Sequence, residues 1–515
     1  MSDVPPAPPS PATHETQVHE VEWQRLDPRM LLVHPIREVV RFLPVLIGLA
    51  VAGTASGGAP WQLLGVAVPV ALGIGRYLTT RFRVADGRVE LRRGLLSRRV
   101  SSTPIDRVRT VDLTSSLVQR VLGLTTLRIG TGQQQSDGEG LDLDGLPHDR
   151  ARALRGDLLR ASAVADAPGH PEGPAPGVPG VPTAGGPWTA PPPVPPLVTF
   201  DPAWLRFAPF TGTGLVVALA VLGGGAQLLD AFDVWQRLDR DDVPAASTVG
   251  LVVGGVVVLL VVLALSVVGF LVANGGFRLS REHGSWHVAR GLLTTRETSI
   301  DEERLAGVAL GEPLALRVAG GRHLQAIVTG IDRNQMGAAT LVPPSPADVA
   351  PRVAARLLGD PAPVEAPLVG HGRRAATRRW VRALVPAAVV AAVLVAVAAA
   401  GGPWWLLVPA ALVLLAAAAL AADRVRGLGH ALVAGHLVAR SGSLNRSRQM
   451  LDVGHVIGFT LRSTWFQRRA GLTTLVATTA GGSGAVGVLD VPTEEAVRVA
   501  DEAIPGLVSQ FLAHP

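Results

Sequence analysis

RVADGRVELRRGLLSRRVSSTPIDRVRTVDLTSSLVQRVLGLTTLRIGT, residues Arg83 to Thr131, decides how the chain is organised, because it occurs more than once. Shifted by 348 positions it lies without a gap on Ala431 to Thr479. Between Leu113–Leu127 and Leu461–Leu475, nine of fifteen residues are identical. A more divergent copy lies between the two. Arg93-Gly94-Leu95-Leu96 corresponds to Arg290-Gly291-Leu292-Leu293, and Gln119-Arg120-Val121-Leu122-Gly123 corresponds weakly to Leu316-Arg317-Val318-Ala319-Gly320. Repetition on this scale points to related units in place of one large fold.

Within the first copy, Thr80–Val84 and Arg88–Arg92 alternate as two strands around the turn signal Asp86-Gly87. Gly94 punctuates the chain, and strands are expected over Leu96–Ile105, Val108–Leu113, Thr125–Gly130 and Gly140–Leu143. Asp142 and Asp144 flank the last of these, where solvent exposure is a better reading than a metal site. Asp149 to Ala161 has the leucine spacing of an amphipathic helix. The order is strands first and helix last.

Outward from the repeats the chain becomes apolar. Hydrophobic residues make up 48% and charged residues 17%, which directs attention to membrane spans. Phe42 to Gly75 is uncharged and broken by Gly57-Gly58-Ala59-Pro60. As one helix its 34 residues would reach about 50 Å, too long for a hydrocarbon core of about 30 Å, so a hairpin of two spans is expected. Phe207–Leu229 and Val243–Phe277 form a second uncharged pair around a loop containing Asp230, Asp233, Asp239, Asp241 and Asp242. Ala383–Ala422 forms a third, split by Gly401-Gly402-Pro403 and followed by Trp404 and Trp405. Six spans in three hairpins result.

The 47 basic residues are all arginine, so their placement is more informative than the net charge of +6. The loops inside the hairpins hold only Arg237 and Arg240. The opposite ends carry Arg37, Arg41, Arg76, Arg81, Arg206, Arg278, Arg378, Arg379, Arg382, Arg424 and Arg426. The positive-inside rule then places both termini and the repeated units in the cytoplasm of a cell membrane.

Residues 1–20 are proline-rich and lack the apolar core of a signal peptide, so they are read as a disordered tail. His14 and His19 are spaced wrongly for the two ligands of a zinc-protease helix. Ala165–Pro196 is a Pro/Gly linker, and the run Arg373–Trp380 is a basic juxtamembrane cluster whose simplest role is to set topology. The absence of cysteine excludes thiolate nucleophiles, thiolate metal sites and disulfides. His430, His436 and His455 have no counterparts in the first copy and read as packed or surface residues. Gly73-Ile74-Gly75, Gly212-Thr213-Gly214 and Gly250 to Gly254 lie in or beside apolar segments, where close helix packing explains them better than phosphate binding. No catalytic constellation, metal site or cofactor is expected.

A hairpin feeding a strand pair with Asp86-Gly87, then Arg93-Gly94-Leu95-Leu96, Pro104–Val108 and Ser116–Leu124, resembles the YdbS/YdbT-like family of bacterial PH-domain membrane proteins. The third copy keeps Ser441-Gly442-Ser443-Leu444 and Gln467–Leu475. The second departs, with Glu312–Arg317 in place of the Ser-rich turn and Gln-Arg, which implies a structural role. The resemblance implies an α+β membrane protein of three repeats, each a transmembrane hairpin followed by a cytoplasmic PH-like bent antiparallel barrel of about seven strands with a C-terminal helix. The expected divisions are 1–20 (tail), 21–79 (hairpin), 80–162 (PH-like), 163–198 (linker), 199–275 (hairpin), 276–360 (divergent PH-like), 361–379 (basic linker), 380–424 (hairpin) and 425–515 (PH-like). The resemblance further implies a role in envelope maintenance or stress resistance and a smaller PH-domain membrane protein as partner.

From the residues themselves, a binding role is better supported than an enzymatic one. Arg92, Arg93, Arg98, Arg99, Arg107 and Arg109 cluster on the early strands of the first unit, and Arg446, Arg448, Arg468 and Arg469 on the third. All ten are candidates for contact with anionic lipid head groups of the bilayer, each worth about 1 kcal/mol at the surface. A solvated basic face, or a purely structural scaffold, is the alternative. Aromatic residues are too few, at 4%, to build a nucleic-acid stacking platform.

Overall fold

The computed structural model describes residues 23–31, 33, 75, 79–85, 87–93, 99–105, 110–130, 141–165, 195–211, 223, 248–282, 284–329 and 340–506. The spans expected in 42–75 and in most of 207–229, and most of the linker 163–198, lie outside these residues. The described residues form a mixed α+β structure of antiparallel sheets and three long apolar helices. Two compact units divide the chain, residues 1–106 and 107–515.

The first unit contains a four-stranded sheet in the order β1 (Gln24–Arg25), β2 (Arg81–Ala85), β3 (Arg88–Arg93) and β4 (Arg99–Pro104). Alternation puts Phe82, Val89 and Leu91 on one face, where they are buried along with Leu26 and Met30. Arg83 and Arg92 hold the Trp23 ring between them, at 4.8 and 4.4 Å from its centroid.

In the second unit, β5 (Thr110–Ser116), α1 (Leu117–Val121), β6 (Leu124–Gly130), β7 (Leu141–Pro147) and α2 (His148–Ala165) come first. After β8 (Val198–Thr199) a 3-10 turn, Pro202–Phe210, leads towards α3 (Thr248–Asn274). There follow β9 (Arg278–Glu282), β10 (Ser285–Arg290), β11 (Thr294–Asp301), β12 (Leu305–Pro313), α4 (Leu314–Val318), β13 (Gly321–Val328), β14 (Thr340–Pro346) and α5 (Val349–Leu358). Beyond α6 (Ala362–Glu365), the helices α7 (Gly372–Ala399) and α8 (Leu407–Arg426) pack on each other across the Gly401-Gly402-Pro403 break. The last elements are β15 (Gly429–Val433), β16 (His436–Ser441), β17 (Asn445–Asp452), β18 (Val456–Arg462), α9 (Trp465–Arg469), β19 (Leu472–Thr479), β20 (Ala485–Pro492) and α10 (Thr493–Ala503).

Segments 255–274, 372–399 and 404–426 are long and apolar enough to cross a membrane. At about 1.5 Å per residue each reaches the roughly 30 Å of a hydrocarbon core. Most of their side chains face outward, which suits lipid and not water.

The expected barrels differ from the structure in two respects. A short strand lies before each long uncharged run of the sequence and pairs with the first strand after it. This is seen in β1 with β2, in β8 with β9, and in the single bridge between Val369 and His430. The sheets also run on from one group of strands to the next, in the orders β7-β6-β5-β11-β10-β9-β8 and β14-β13-β12-β17-β16-β15, with β18-β19-β20 apart. An open edge strand presents unpaired N–H and C=O groups, and pairing β5 with β11 and β12 with β17 satisfies them.

Apolar cores form between these elements. One gathers Trp204, Phe207, Phe270, Phe277, Leu310 and Leu324, and another Leu437, Leu451, Leu475, Val488 and Val499. Each fully buried ring or branched side chain contributes about 1.5–3 kcal/mol.

Candidate membrane-facing site

The turn between β10 and β11 is attached to the end of α3. The Gly291 N–H donates to Gly275 O at 2.8 Å and the Leu292 N–H to Val272 O at 3.0 Å, so the turn caps carbonyls that the helix leaves open. Gly291 has φ +104°, and a Cβ there would come within 2.1 Å of Thr294 O. Gly442, in the turn between β16 and β17, has φ +99° and a Cβ position 2.2 Å from Asn445 O. Only glycine fits either turn without strain. Leu292, Leu293 and Leu444 project from these turns into solvent.

Of three five-residue helices, α1 and α4 lie beside these turns. In α1 and α9 the motif residues Gln119 and Gln467 are buried and complete capping boxes with Ser116 and Thr464, which gives the repeated Gln-Arg pair a structural reason. In α4, Pro313 and the buried Leu316 replace that device. Arg120 of α1 donates to Thr295 Oγ1 at 3.0 Å and to the Leu292 carbonyl. The Leu314 N–H of α4 donates to Leu444 O at 2.7 Å, and Arg317 pairs with Asp423 of α8 at 3.0 Å.

The third short helix packs near the start of α7, where Leu472, just beyond α9, forms a small buried cluster with Ala375 and Leu428. The buried Asp490 locks this junction. It pairs with Arg379 at 2.7 Å and with Arg378, both on α7, and accepts from Gln467 Nε2 of α9 at 2.8 Å.

The outward faces of these elements are apolar. Leu117, Val121 and Val318 are exposed, and on α9 Trp465 and Phe466 are 55% and 70% exposed and stack edge to face. Arg469 lies 5.1 Å from the Trp465 ring centroid, and Arg462 and Arg468 are exposed nearby. The result is a set of apolar side chains beside the ends of the membrane-length helices, with arginines concentrated around α9. Tryptophan and arginine in that position suit a membrane–water interface.

A second cluster joins α7 to the last strands and helix. His371, at the start of α7, has Nδ1 2.8 Å from Leu489 O, so this nitrogen carries the proton and donates. Its Nε2 lies 2.9 Å from His430 Nδ1, and His430 Nε2 lies 3.2 Å from Glu495. Burial, reinforced by the neighbouring imidazole, pushes His371 down to about 4. Burial also lowers His430, while Arg498 holds the Glu495 carboxyl below its ordinary value. Among the described residues, no group of three or more His, Asp or Glu side chains has metal-binding geometry.

Of the ten arginines expected to meet lipid, those whose side chains are described differ in what they meet. Arg92 is half-buried against Trp23, Arg93 and Arg99 lie on β3 and β4, and Arg98, Arg107 and Arg109 fall outside the described residues. Arg446 pairs with Asp423 at 2.7 Å, and Arg448 donates to the carbonyls of Pro363 and Ala366 at 2.8 and 2.9 Å. Among the arginines whose side chains are described, Arg468 and Arg469 are exposed. Trp465 and Phe466, which complete their surface, were missed by a reading that followed charge alone.

Two segments, residues 39–162 and 379–503, match the family described as bacterial PH domain. The chain carries the bacterial PH domain twice. The first PH-domain match covers β2 to β7 and most of α2, and the second covers most of α7, then α8 and β15 to α10. The α9 surface and Asp490 therefore belong to the second match, and α1 to the first. No curated protein and no solved structure shows significant similarity to the chain.

Proposed function

We propose that this is a multi-pass protein of the bacterial cell membrane carrying three cytoplasmic PH-like units, the middle one being residues 276–360, and that it acts without catalysis by resting on the anionic inner leaflet. The observation that carries this reading is the exposed pairing of Trp465 and Phe466 with Arg462, Arg468 and Arg469, beside the arginine-rich start of α7. Aromatic rings at the interface and about 1 kcal/mol of attraction per arginine together suffice to hold such a surface against lipid. The middle unit is supported by the order β9 to β14 then α5, which parallels β2 to β7 then α2 and β15 to β20 then α10. Orientation follows from Arg373, Arg374, Arg378, Arg379, Arg382, Arg424 and Arg426, all at the same end of the α7–α8 hairpin. A role in envelope maintenance and a smaller PH-domain protein as partner follow from the family resemblance.

The full chain in bilayers with and without an anionic phospholipid provides the test, read by amide exchange across Thr464–Gly471. Anionic lipid is expected to slow exchange there in the native chain and not in a chain with Arg468→Ala and Arg469→Ala. Equal exchange in all four preparations would overturn the lipid reading.

A further inference from the structure

Two groups of uncovered apolar side chains are assembled alike, each from a strand turn and the short helix of the preceding repeat. In one, the β10–β11 turn carries Leu292 and Leu293, and Arg120 ties it to α1, which carries Leu117 and Val121. In the other, the β16–β17 turn carries Leu444, whose carbonyl accepts from the Leu314 N–H of α4, the helix that carries Val318. Leu293 is 52% exposed and Leu444 57%, and Val121 and Val318 reach 81% and 79%.

Hydrogen bonds fix the depth of both groups. The Leu292 N–H donates to Val272 O, inside the membrane-length segment 255–274, so the first turn sits at the level of the last apolar turn of α3. Leu292 also packs on Gly275, where a Cβ would come within 2.5 Å of Leu292 Cγ. At α8, Arg440 and Arg446 donate to the carbonyls of Arg426 and Asp423 at 3.0 and 3.2 Å, drawing the second turn against the last turn of that helix.

The arginine of each short helix is engaged by the protein. Arg120 donates to Thr295 and to the Leu292 carbonyl, and Arg317 pairs with Asp423. On α9, by contrast, Arg468 and Arg469 are exposed. The second group also shows what does not cover it. Both helices of the α7–α8 hairpin are described along their whole length and pack on each other, and Leu444 and Val318 stay uncovered beside them. Exposed apolar side chains held at the end of a membrane-length helix are matched by lipid.

We propose that these two groups are wedges that enter the inner leaflet to the level of the acyl chains, and that they do so whatever the charge of the head groups. An uncharged wedge gains from apolar area removed from water, whereas attraction between arginine and anionic lipid is screened by salt. The inference rests on the membrane reading above and adds the first and middle units to the lipid contact.

Leu293→Cys, Val318→Cys and Leu444→Cys, each in the otherwise cysteine-free full chain and carrying an environment-sensitive fluorophore, provide the test in zwitterionic bilayers containing brominated lipid. Expected at all three is quenching several-fold above that at Ser483→Cys, unchanged by anionic lipid or by high salt. Quenching no stronger than at Ser483 would overturn the wedges, as would a blue-shifted but unquenched label, which places the site against protein. Quenching that develops only with anionic lipid would overturn their independence of charge. Phe466→Cys in anionic bilayers separates the two readings. Weak quenching there with strong quenching at the wedge positions overturns the α9 surface and supports the wedges, and the reverse pattern overturns the wedges alone.

Discussion

His371 Nε2 and His430 Nδ1 lie 2.9 Å apart, joining the first turn of a membrane-length helix to the first strand of the domain that follows it. Since His371 Nδ1 donates to Leu489 O, its Nε2 must accept, and His430 Nδ1 must donate. A proton added to His371 Nε2 would face the His430 N–H, which adds to the burial that holds His371 neutral.

The pH dependence follows directly. The folded His371 is depressed to about 4 from 6.5, so between these values the unfolded chain binds more protons. Stability is fully present above about pH 6.5 and falls as the pH drops towards 4, by on the order of 3 kcal/mol for this group. Thermal unfolding in detergent across that window should show the loss, and His371→Asn should lessen it, the remainder coming in part from His287, which burial also holds down to about 4. An unchanged profile in the variant would remove His371 as its source.

Asp490 is buried at φ +55° and faces two guanidinium groups of α7. Asp490→Ala would leave Arg378 and Arg379 without their carboxylate and is expected to cost about 3–5 kcal/mol. Asp490→Asn, which tolerates the left-handed backbone, should cost less. Protease sensitivity at the junction of α7 with α9 is a suitable readout, and equal loss in both variants would point to the charge and not the backbone.

Gly291→Ala and Gly442→Ala should each destabilise their turns by about 1–3 kcal/mol, because a Cβ meets a carbonyl oxygen at positive φ. Gly87→Ala shares the positive φ but has open space around its Cβ position. It should cost less, and comparing the midpoints of the three variants separates collision from backbone strain.

Removing either capping hydroxyl, by Ser116→Ala or Thr464→Ala, should cost about 1 kcal/mol. The variant Thr464→Ala should also raise amide exchange in Trp465–Arg469, while Ser116→Ala leaves that segment unchanged.

Much of the fold was legible because its signals are periodic. The alternation in Arg83–Arg92, the Gly291 and Gly442 punctuation and the long uncharged runs each report a local preference with one physical cause. The two-residue strands Gln24–Arg25 and Val198–Thr199 are too short to carry a period. The helices at Leu117 and Trp465 span barely more than one turn, although Ser-x-x-Gln and Thr-x-x-Gln carried the capping signal. The site was less legible, because charge marks an arginine without saying what it meets. Arg446 and Arg448 found internal acceptors, and the His371–His430 contact joins residues far apart in sequence.

The central claim, that the α9 surface lies in the membrane interface, is tested most directly at Phe466. An environment-sensitive fluorophore on Phe466→Cys, in the full chain and in bilayers containing brominated lipid, reports contact with acyl chains. Ser483→Cys, at the opposite end of β19 and β20, serves as the reference. The account predicts strong quenching at Phe466 and little at Ser483, with the difference growing when anionic lipid is added. Equal, weak quenching at both positions would contradict it.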